Sequence, residues 1–342
     1  MDGFRRAVCL CLLALAGCRS PGARPNADPS QDRASLGLTD KDRRFMEALA
    51  HYGQGLLDET SQGSRSASAL SNFVEAAERD PSVQRLRYRA AIAHLRRGEP
   101  DKAIGELEAA CRTTPDSAQA WIELGTICQL TGRNDEAVNA LNRALTLDPR
   151  RSAVYVGLAN LHFGRSDDVR AFDVLKRGFG KADNPELLAD DCYDQARVRA
   201  ATNDAAGAIV CFEFLAEHAP SKQGLYHYLA GLLHETRQNR TQAIPHFEAA
   251  SRGSDGVADA VVRLAMYDMD AKPEQAIRRL EEGRRRFPKA AEILFLAGTL
   301  YDRLGRDREA TETFAEAVKH DPNVADSFVR LALIQEIGRA HV

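Results

Sequence analysis

The sequence predicts an all-α fold, in which pairs of antiparallel helices repeat along the chain and stack into an α-solenoid. The first observation is the spacing of the prolines: 34, 34, 71, 68 and 34 residues separate Pro81, Pro115, Pro149, Pro220, Pro288 and Pro322. The second is that small and large apolar residues keep fixed distances from these prolines. The third is composition, since 44% of residues are hydrophobic but only 6% are aromatic, which suits an array of alanine- and leucine-rich helices.

Each of these prolines is predicted to end the second helix of a pair, because proline lacks an N–H and clashes with the preceding helical turn. Small residues are expected where the two helices of a pair cross closely, and these are Gly125, Ala137, Gly298 and Ala310. Large residues are expected to fill the space between neighbouring pairs, and these are Leu141, Phe212, Phe247 and Phe314. Spacings of three and four residues place such side chains on one helical face.

Two stretches carry the repeat most completely. The stretch from Ala118 contains Trp121, Leu124, Gly125, Ala137, Leu141, Ala144 and Pro149, with Cys128 where a tyrosine is usual. The stretch from Ala291 contains Leu294, Ala297, Gly298, Tyr301, Ala310, Phe314, Ala317 and Pro322. Both resemble the tetratricopeptide repeat, W-x2-L-G-x2-Y…A-x3-F…P. The resemblance implies a right-handed superhelix whose first helices line a concave, protein-binding face.

Eight repeats and a truncated ninth are predicted within an array that spans residues 39–335. The repeats cover about 44–83, 84–117, 118–151, 152–185, 189–222, 223–257, 258–290 and 291–324, with a partial unit at 325–335. Asn184 followed by Pro185 predicts an early helix start, so residues 186–188 are expected to add one turn. Pro245 predicts a kink or a late start of the second helix in the sixth repeat.

The N-terminal residues predict export and lipidation. Arg5 and Arg6 precede a ten-residue apolar stretch, 7–16, which is too short to cross a bilayer as a permanent helix. The tetrapeptide LAGC that ends at Cys18 resembles the lipobox of bacterial lipoproteins, in which the signal peptide, here 1–17, is removed and the cysteine is lipidated. An ordinary secretory signal with a chance cysteine is the alternative.

By this resemblance, Cys18 holds the protein on a bacterial membrane, since stable anchoring needs more than one acyl chain and lipoproteins carry two or three. Arg19 follows the cysteine and favours the outer membrane, with the protein facing the periplasm. Residues 18–38 are polar and rich in Pro, Ser, Gly and Asp, so they are predicted to form a disordered tether. Thr39 followed by Asp42 resembles a capping box, and folding is predicted to start there.

The C-terminal residues EIGRAHV, at 336–342, correspond to the translation of a common sequencing-library adapter that is followed by a stop codon. We therefore expect these residues to be an artefact of sequence assembly and the natural protein to continue past Gln335. Further repeats or another domain would follow there.

Neither charge nor cysteine spacing points to nucleic acid or to a metal. The formal net charge is −3, and the mixed-sign stretch RRLEEGRRR at 278–286 is expected to form a solvated helix face rather than a phosphate-binding patch. The cysteines beyond Cys18 are Cys111, Cys128, Cys192 and Cys211. An exported protein can form disulfides, so their pairing stays open, but burial at packing positions is the favoured expectation.

No catalytic site, cofactor or metal is predicted. The sequence has no Gly-rich phosphate loop, no G-x-S-x-G and no H-E-x-x-H motif. His227 and His234 are seven residues apart, beside Glu235, and share one helical face, so a metal site is conceivable. No third ligand stands at metal-binding spacing, so a histidine pair without such a role is the favoured interpretation.

Function is therefore expected from the concave face. The family positions that point there hold aromatic, methionine and arginine side chains, which are enriched where proteins bind proteins. The expected partner-binding residues are Arg85, Tyr88, Ile92, Gln129, Asn160, Phe163, Tyr193, Arg197, His227, His234, Met266 and Phe295. An extended peptide or a helix is the expected ligand. The alternative is that some of these side chains only pack against the neighbouring first helix.

Taken with the lipobox, these features predict a non-enzymatic, membrane-anchored scaffold that binds proteins or peptides of the bacterial cell envelope. The chain resembles tetratricopeptide lipoproteins such as the pilotins of type IV pili and the adaptors of peptidoglycan hydrolases. Two alternatives stay open: an array in front of an enzyme domain beyond Gln335, such as a glycosyltransferase or a peptidase, or a purely structural spacer. A resemblance in fold does not choose the partner, the envelope pathway or the oligomeric state.

Overall fold

The computed structural model describes residues 38–252 and 255–321, and over these residues the chain is built from helices without β-strands. Sixteen α-helices follow one another in these ranges: α1 (Asp40–Gln62), α2 (Ala67–Arg79), α3 (Gln84–Arg96), α4 (Pro100–Thr113), α5 (Ala118–Leu130), α6 (Asn134–Leu147), α7 (Ser152–Phe163), α8 (Asp168–Phe179), α9 (Pro185–Ala201), α10 (Ala205–His218), α11 (Gln223–Thr236), α12 (Arg240–Arg252), α13 (Ala258–Asp268), α14 (Pro273–Arg286), α15 (Ala291–Arg303) and α16 (Asp307–His320). A short 3-10 helix, Pro220–Lys222, leads into α11.

The helices fall into two compact units, which divide between Ala140 and Leu141, within α6. In the first unit α1 packs against α2, and α3 packs against α4. In the second unit the hairpins are α7–α8, α9–α10, α11–α12, α13–α14 and α15–α16. Each hairpin consists of two consecutive helices joined by a short turn. The predicted all-α array of helix-turn-helix pairs is therefore confirmed.

Local sequence sets two helix starts as predicted. Thr39 caps α1: its Oγ1 accepts from the backbone N–H of Asp42 at 3.2 Å, and the Asp42 carboxylate accepts from the Thr39 N–H at 3.0 Å. At α9, the side-chain carbonyl of Asn184 accepts from the Leu187 N–H at 3.3 Å, and Pro185 is the first helical residue. With 17 residues, α9 is longer than α8 and α10 and contains the predicted extra turn.

Glycines at the helix crossings let large side chains approach the facing helix. A Cβ at Gly231 would lie 2.7 Å from Cε1 of Phe247, and a Cβ at Gly55 would lie 2.6 Å from Cε1 of Phe73. Both phenylalanines are buried. Small residues were predicted at such crossings, because any larger residue at the glycine would push the two helices apart. Phe247 was predicted between neighbouring pairs, but its ring packs against Gly231 inside its own hairpin.

The start of α12 differs from the expectation. The helix begins at Arg240 and continues through Pro245 to Arg252, so the predicted late start is wrong. Proline at this place removes the N–H that would have reached the carbonyl of Thr241. Pro245 is exposed, whereas Ala243 and Phe247 on the same helix are fully buried, so the core-facing side of α12 keeps its packing.

The four cysteines in the described part of the chain are buried and unpaired, as the packing interpretation predicts. Burial raises the pKa of Cys111 to about 12 and that of Cys128 to about 11, so both are thiols at neutral pH. The S–H of Cys192 donates to the backbone carbonyl of Cys211 across 3.9 Å.

Several predicted segments lie outside the described residues. These are the signal peptide, Cys18, the tether up to residue 37, the partial ninth repeat and residues 336–342. Among the helices within 38–252 and 255–321, none combines the length and the apolar character that crossing a bilayer requires.

Candidate functional site

The second unit holds a cavity of about 770 Å³ between the first helices of two consecutive hairpins, α9 and α11. We call it the α9–α11 groove. It is lined by Tyr193, Asp194, Arg197, Val198, Ala200 and Ala201 of α9, by Phe212 of α10, and by Leu229, Leu232 and Leu233 of α11. Helical periodicity explains the lining of α9, because residues three and four apart share one face. Two residues expected at the partner-binding face, Tyr193 and Arg197, thus meet in one cavity.

Tyr193 forms one wall of the α9–α11 groove. Its ring centroid lies 5.9 Å from that of Phe212, in a T-shaped arrangement, and 6.2 Å from that of Tyr226. Phe212 and Tyr226 are both buried and so fix the position of the Tyr193 ring. Burial raises the pKa of Tyr226 to about 12, and its phenol is therefore neutral at physiological pH.

The edge of the groove combines an exposed aliphatic residue with an ion pair. Val198 keeps 58% of its surface exposed. Beside it, Nη1 of Arg197 lies 3.4 Å from Oδ1 of Asp194, and both of these side chains are largely exposed. Exposed pairs of this kind contribute about 0–1 kcal/mol to stability, so a partner can exchange this contact for its own at little cost.

Asn160, another expected binding residue, links α7 to α9. Its Nδ2 donates to Oδ1 of Asp191 at 2.9 Å, and its Oδ1 accepts from Nε2 of Gln195 at 2.9 Å. Burial raises the pKa of Asp191, and the other oxygen of this carboxyl is buried without a hydrogen-bond partner. Both functional groups of the Asn160 amide are therefore occupied by contacts between neighbouring first helices.

Phe163 is buried, with 8% of its surface exposed, although it was expected at the binding face. Its ring packs edge-on against Phe172 at a centroid distance of 5.4 Å, and the guanidinium of Arg199 lies 5.2 Å from its centroid. Phe163 therefore contributes to packing within the second unit, and little of its surface is accessible to a partner.

His227 and His234 lie on the side of α11 that faces α10 and α12. Nδ1 of His227 is 3.2 Å from Nδ1 of His246, and the His234 ring stacks on that of His246 at a centroid distance of 5.3 Å. The reason is a shift of one residue in the sixth repeat: Gly231, rather than Ala230, meets the ring of Phe247. The histidines thus occupy positions that pack inside the hairpin, whereas their place in the sequence predicted the binding face.

The remaining expected binding residues differ in exposure. Arg85, Gln129 and Met266 are exposed, whereas Tyr88, Ile92 and Phe295 are half-buried. The Phe295 ring lies 6.0 Å from that of Phe314, against the core of the last described hairpin. Arg85, Tyr88, Ile92 and Gln129 belong to the first unit and the others to the second.

The aliphatic part of the groove was not predicted from the sequence. Val198, Leu229, Leu232 and Leu233 line it, but none was among the expected binding residues. Leu229, Leu232 and Leu233 belong to an apolar run in α11, and only the register of that helix decides which members are buried. A register corrected by one residue, with Gly231 at the helix crossing, would have indicated Leu232 but not Leu229 or Leu233.

Residues 278–286 form a mixed-charge face, as expected. Arg279 bonds to Asp268 through Nε at 2.8 Å and contacts Glu248 through Nη2 at 3.3 Å. Arg284 pairs with Glu316 and lies 3.6 Å from Glu281. These arginines are engaged with carboxylates of the same and neighbouring helices.

Three stretches match the family described as "Tetratricopeptide repeat": residues 84–127, 118–151 and 270–333. These parts of the chain are tetratricopeptide repeats, modules that bind proteins or peptides. A curated relative, anaphase-promoting complex subunit 3 of Schizosaccharomyces pombe, is 25% identical over 211 residues. The match covers 62% of this chain but only 31% of that relative.

Solved structures to which this chain is similar include the following three. PilF of Pseudomonas aeruginosa is 18% identical, with 67% of this chain and 100% of that chain covered and a TM-score of 0.39. The TPR domain of P58(IPK) is 17% identical, with 86% and 99% covered and a TM-score of 0.35. YrrB, described as "a TPR protein with an unusual peptide-binding site", is 17% identical, with 56% and 97% covered and a TM-score of 0.35. At these values the similarity says nothing about partners of this chain.

Proposed function

We propose that this protein is a non-enzymatic scaffold that binds a peptide or helical segment of a partner protein in the α9–α11 groove. The observation that carries the proposal is the groove itself: about 770 Å³ of space between two first helices, with exposed aliphatic side chains beside Tyr193 and Arg197. Cavities that bind ligands commonly measure about 300–1,000 Å³ and are lined mainly by apolar side chains.

The lining suits a polypeptide partner. Tyrosine and arginine are the residue types that most often dominate binding energy at protein interfaces, where they surround apolar anchors. Leu229, Leu232 and Leu233 supply an apolar floor, and Val198 stands at its exposed edge. An apolar side chain of a partner would remove this surface from water, which contributes roughly 25 cal/mol for each Å² buried. An amphipathic helix or an extended segment presents such side chains at regular intervals.

Selection of peptides on the immobilised full chain tests this proposal. A random peptide library should yield sequences that bind with one or two apolar anchors, and Val198→Asp should weaken their binding at least about tenfold, because a charge would enter the apolar groove. Val169→Asp is the matched control: Val169 is 82% exposed on α8, outside the groove lining, and the charge change is the same. Equal binding by both variants would exclude the groove as the docking surface.

We further propose that the scaffold works on the bacterial cell envelope, anchored through lipid on Cys18. The support is the tetrapeptide LAGC after a basic start and a short apolar stretch. Anchoring would confine the groove to a membrane surface and raise its effective concentration for partners located there. The resemblance to the lipobox and Arg19 favour the outer membrane, facing the periplasm.

Lipidation can be tested apart from peptide binding. Expressed in bacteria fed an alkyne-tagged fatty acid, the full chain should incorporate the tag and sediment with membranes, and Cys18→Ser should abolish both. Cys111→Ser is the matched control, since Cys111 is buried in α4 and should leave labelling unchanged. Unlabelled wild-type protein, or labelling that survives Cys18→Ser, would contradict the anchor but not the groove.

A further inference from the structure

Four titratable side chains from three consecutive helices meet in the second unit. Oε1 of Glu213, on α10, lies 3.2 Å from Nε2 of His246, on α12, and 3.9 Å from Nε2 of His234, on α11. The metal-binding atoms of these three residues all lie within 4.8 Å of one another. On the other side of the His246 ring, Nδ1 faces Nδ1 of His227, on α11, at 3.2 Å.

The cluster is sheltered and leaves one nitrogen without a partner. Only 14% of the side-chain surface of His234 and of His246 is exposed, against 45% for Glu213. Nε2 of His234 is buried and makes no hydrogen bond. A buried polar atom without a partner costs about 1–3 kcal/mol, so such atoms call for an explanation. Glu235, the next residue, is engaged elsewhere and accepts from Tyr267 and Arg263.

A neutral imidazole offers an unshared electron pair on one ring nitrogen, which is what a metal ion binds. Nε2 of His234, which is buried without a hydrogen-bond partner, stands where it could serve in this way.

We propose that Glu213, His234 and His246 bind a divalent zinc ion. Zinc takes histidine nitrogen at about 2.0–2.1 Å and carboxylate oxygen at about 2.0–2.2 Å, so tetrahedral ligand atoms stand about 3.3–3.5 Å apart. The Glu213–His246 distance of 3.2 Å is close to that separation, and Nε2 of His234 would have to approach Glu213 from 3.9 Å. The ion would also satisfy the unpartnered nitrogen of His234.

The ligand types select the class of metal. Imidazole nitrogen suits zinc and its first-row neighbours, whereas magnesium and calcium prefer sites made of oxygen alone. Two histidines and one glutamate leave a fourth position for water or for a group of a bound partner. No thiolate takes part, although four buried cysteines lie elsewhere in the described part of the chain.

His227 supports the site from its outer side. With Nε2 of His246 on the ion, Nδ1 of His246 would carry the proton, and this N–H would donate a hydrogen bond to Nδ1 of His227. Such outer partners fix the tautomer and the ring orientation of a ligand histidine, and their loss typically lowers metal affinity about 10–100-fold. His227 is therefore a positioning residue for His246 and not a ligand.

Bound zinc would join α10 of one hairpin to α11 and α12 of the next. In a repeat array each hairpin is stabilised by its neighbours, so a cross-link between two hairpins strengthens the array at that junction. A ligand that binds only the folded state stabilises it in proportion to the logarithm of its concentration over Kd. The chain should thus resist unfolding better with zinc than without it.

Titration of the full chain tests the site. After removal of metals with a chelator, calorimetry with zinc chloride should show one ion per chain with a Kd of about 1 μM or below. Glu213→Gln and His234→Gln should each weaken binding more than about 100-fold, and His227→Asn about 10–100-fold. Glu217→Gln is the matched control, since Glu217 lies one turn further along α10, is exposed and carries the same charge.

Two further measurements distinguish loss of the metal site from misfolding of a variant and from metal binding by cysteines. Circular dichroism in chelator should show that each variant retains its helices. With cobalt as the probe, the visible spectrum should show a tetrahedral site without thiolate-to-metal charge transfer. Absence of stoichiometric zinc binding, unchanged affinity in Glu213→Gln and His234→Gln, or a thiolate band would each overturn the proposal.

Discussion

Gly298 lies directly against the ring of Phe314: a Cβ at Gly298 would stand 2.8 Å from both Cδ1 and Cε1 of the phenylalanine. Gly298 belongs to α15 and Phe314 to α16, the two helices of the last described hairpin. Because atoms cannot approach so closely, only glycine permits this separation of the helices. The same contact joins Gly231 to Phe247, also sixteen residues apart in sequence. One such pair in a hairpin fixes how its two helices cross.

Replacement of Phe314 by alanine should destabilise the second unit by roughly 3–5 kcal/mol. The ring is fully buried, so its removal loses the free energy of transfer from water and leaves a cavity beside Gly298. Urea unfolding followed by circular dichroism measures the change. Val169→Ala is the control, because Val169 is 82% exposed and its truncation should stay within about 0.5 kcal/mol of wild type. An unchanged unfolding midpoint for Phe314→Ala would show that the repeat register is wrong.

Two glycine-to-alanine substitutions should change the stability of the protein in opposite directions. At Gly298 a methyl group would collide with the Phe314 ring, and overpacking of this kind typically costs about 1–3 kcal/mol. At Gly105, inside α4, nothing lies within 4 Å of the position that a Cβ would take, so alanine should stabilise the helix by about 0.5–1 kcal/mol. Thermal melts of both variants give the comparison. If both were stabilising, the close crossing of α15 and α16 would be refuted.

The fold was predictable from the sequence because the repeat leaves a signal at a fixed distance. Proline after six of the eight second helices, and small residues at the crossings, recur at or near multiples of 34 residues. Helix starts were predictable where one residue carries the physical reason, as Asn184 and Pro185 do at α9. Pro245 shows the limit of this reasoning: proline disfavours a helix interior, yet the buried neighbours Ala243 and Phe247 outweigh that local cost.

The candidate site was less predictable, because it depends on register to a single residue. A helix turns by about 100° per residue, so a shift of one residue moves side chains from the exposed face into the hairpin. This is what separates His227 and His234 from the expected binding face and brings leucines of α11 to the groove. Nor does spacing along the chain show that Glu213 and His246, 33 residues apart, approach each other, since the contact forms only when two hairpins pack.

Asp168 and Arg199 should make the stability of the second unit depend on pH. The guanidinium donates to both carboxylate oxygens, at 2.7 and 2.5 Å, and joins α8 to α9. This hydrogen bonding lowers the pKa of Asp168 in the folded state. The contribution of the ion pair to the free energy of unfolding is therefore fully present above about pH 3.9, the pKa of the carboxyl in the unfolded chain. It is lost as the pH falls through the lower pKa of the folded state. Because Asp168 is 38% exposed, solvent screening reduces the contribution to about 1 kcal/mol.

Asp168→Asn should therefore lower the free energy of unfolding by about 1 kcal/mol at pH 7, and the difference from wild type should shrink as the pH falls below about 4. Asp173→Asn is the control on the same helix: its side chain is 68% exposed and pairs with Arg177 one turn away, so the change should be within about 0.5 kcal/mol at every pH. Urea unfolding of the three proteins between neutral pH and the acid limit measures this. If the free energy of unfolding of Asp168→Asn stayed below that of wild type by the same amount at a pH below the folded pKa of Asp168, lost packing and not the ion pair would explain the difference.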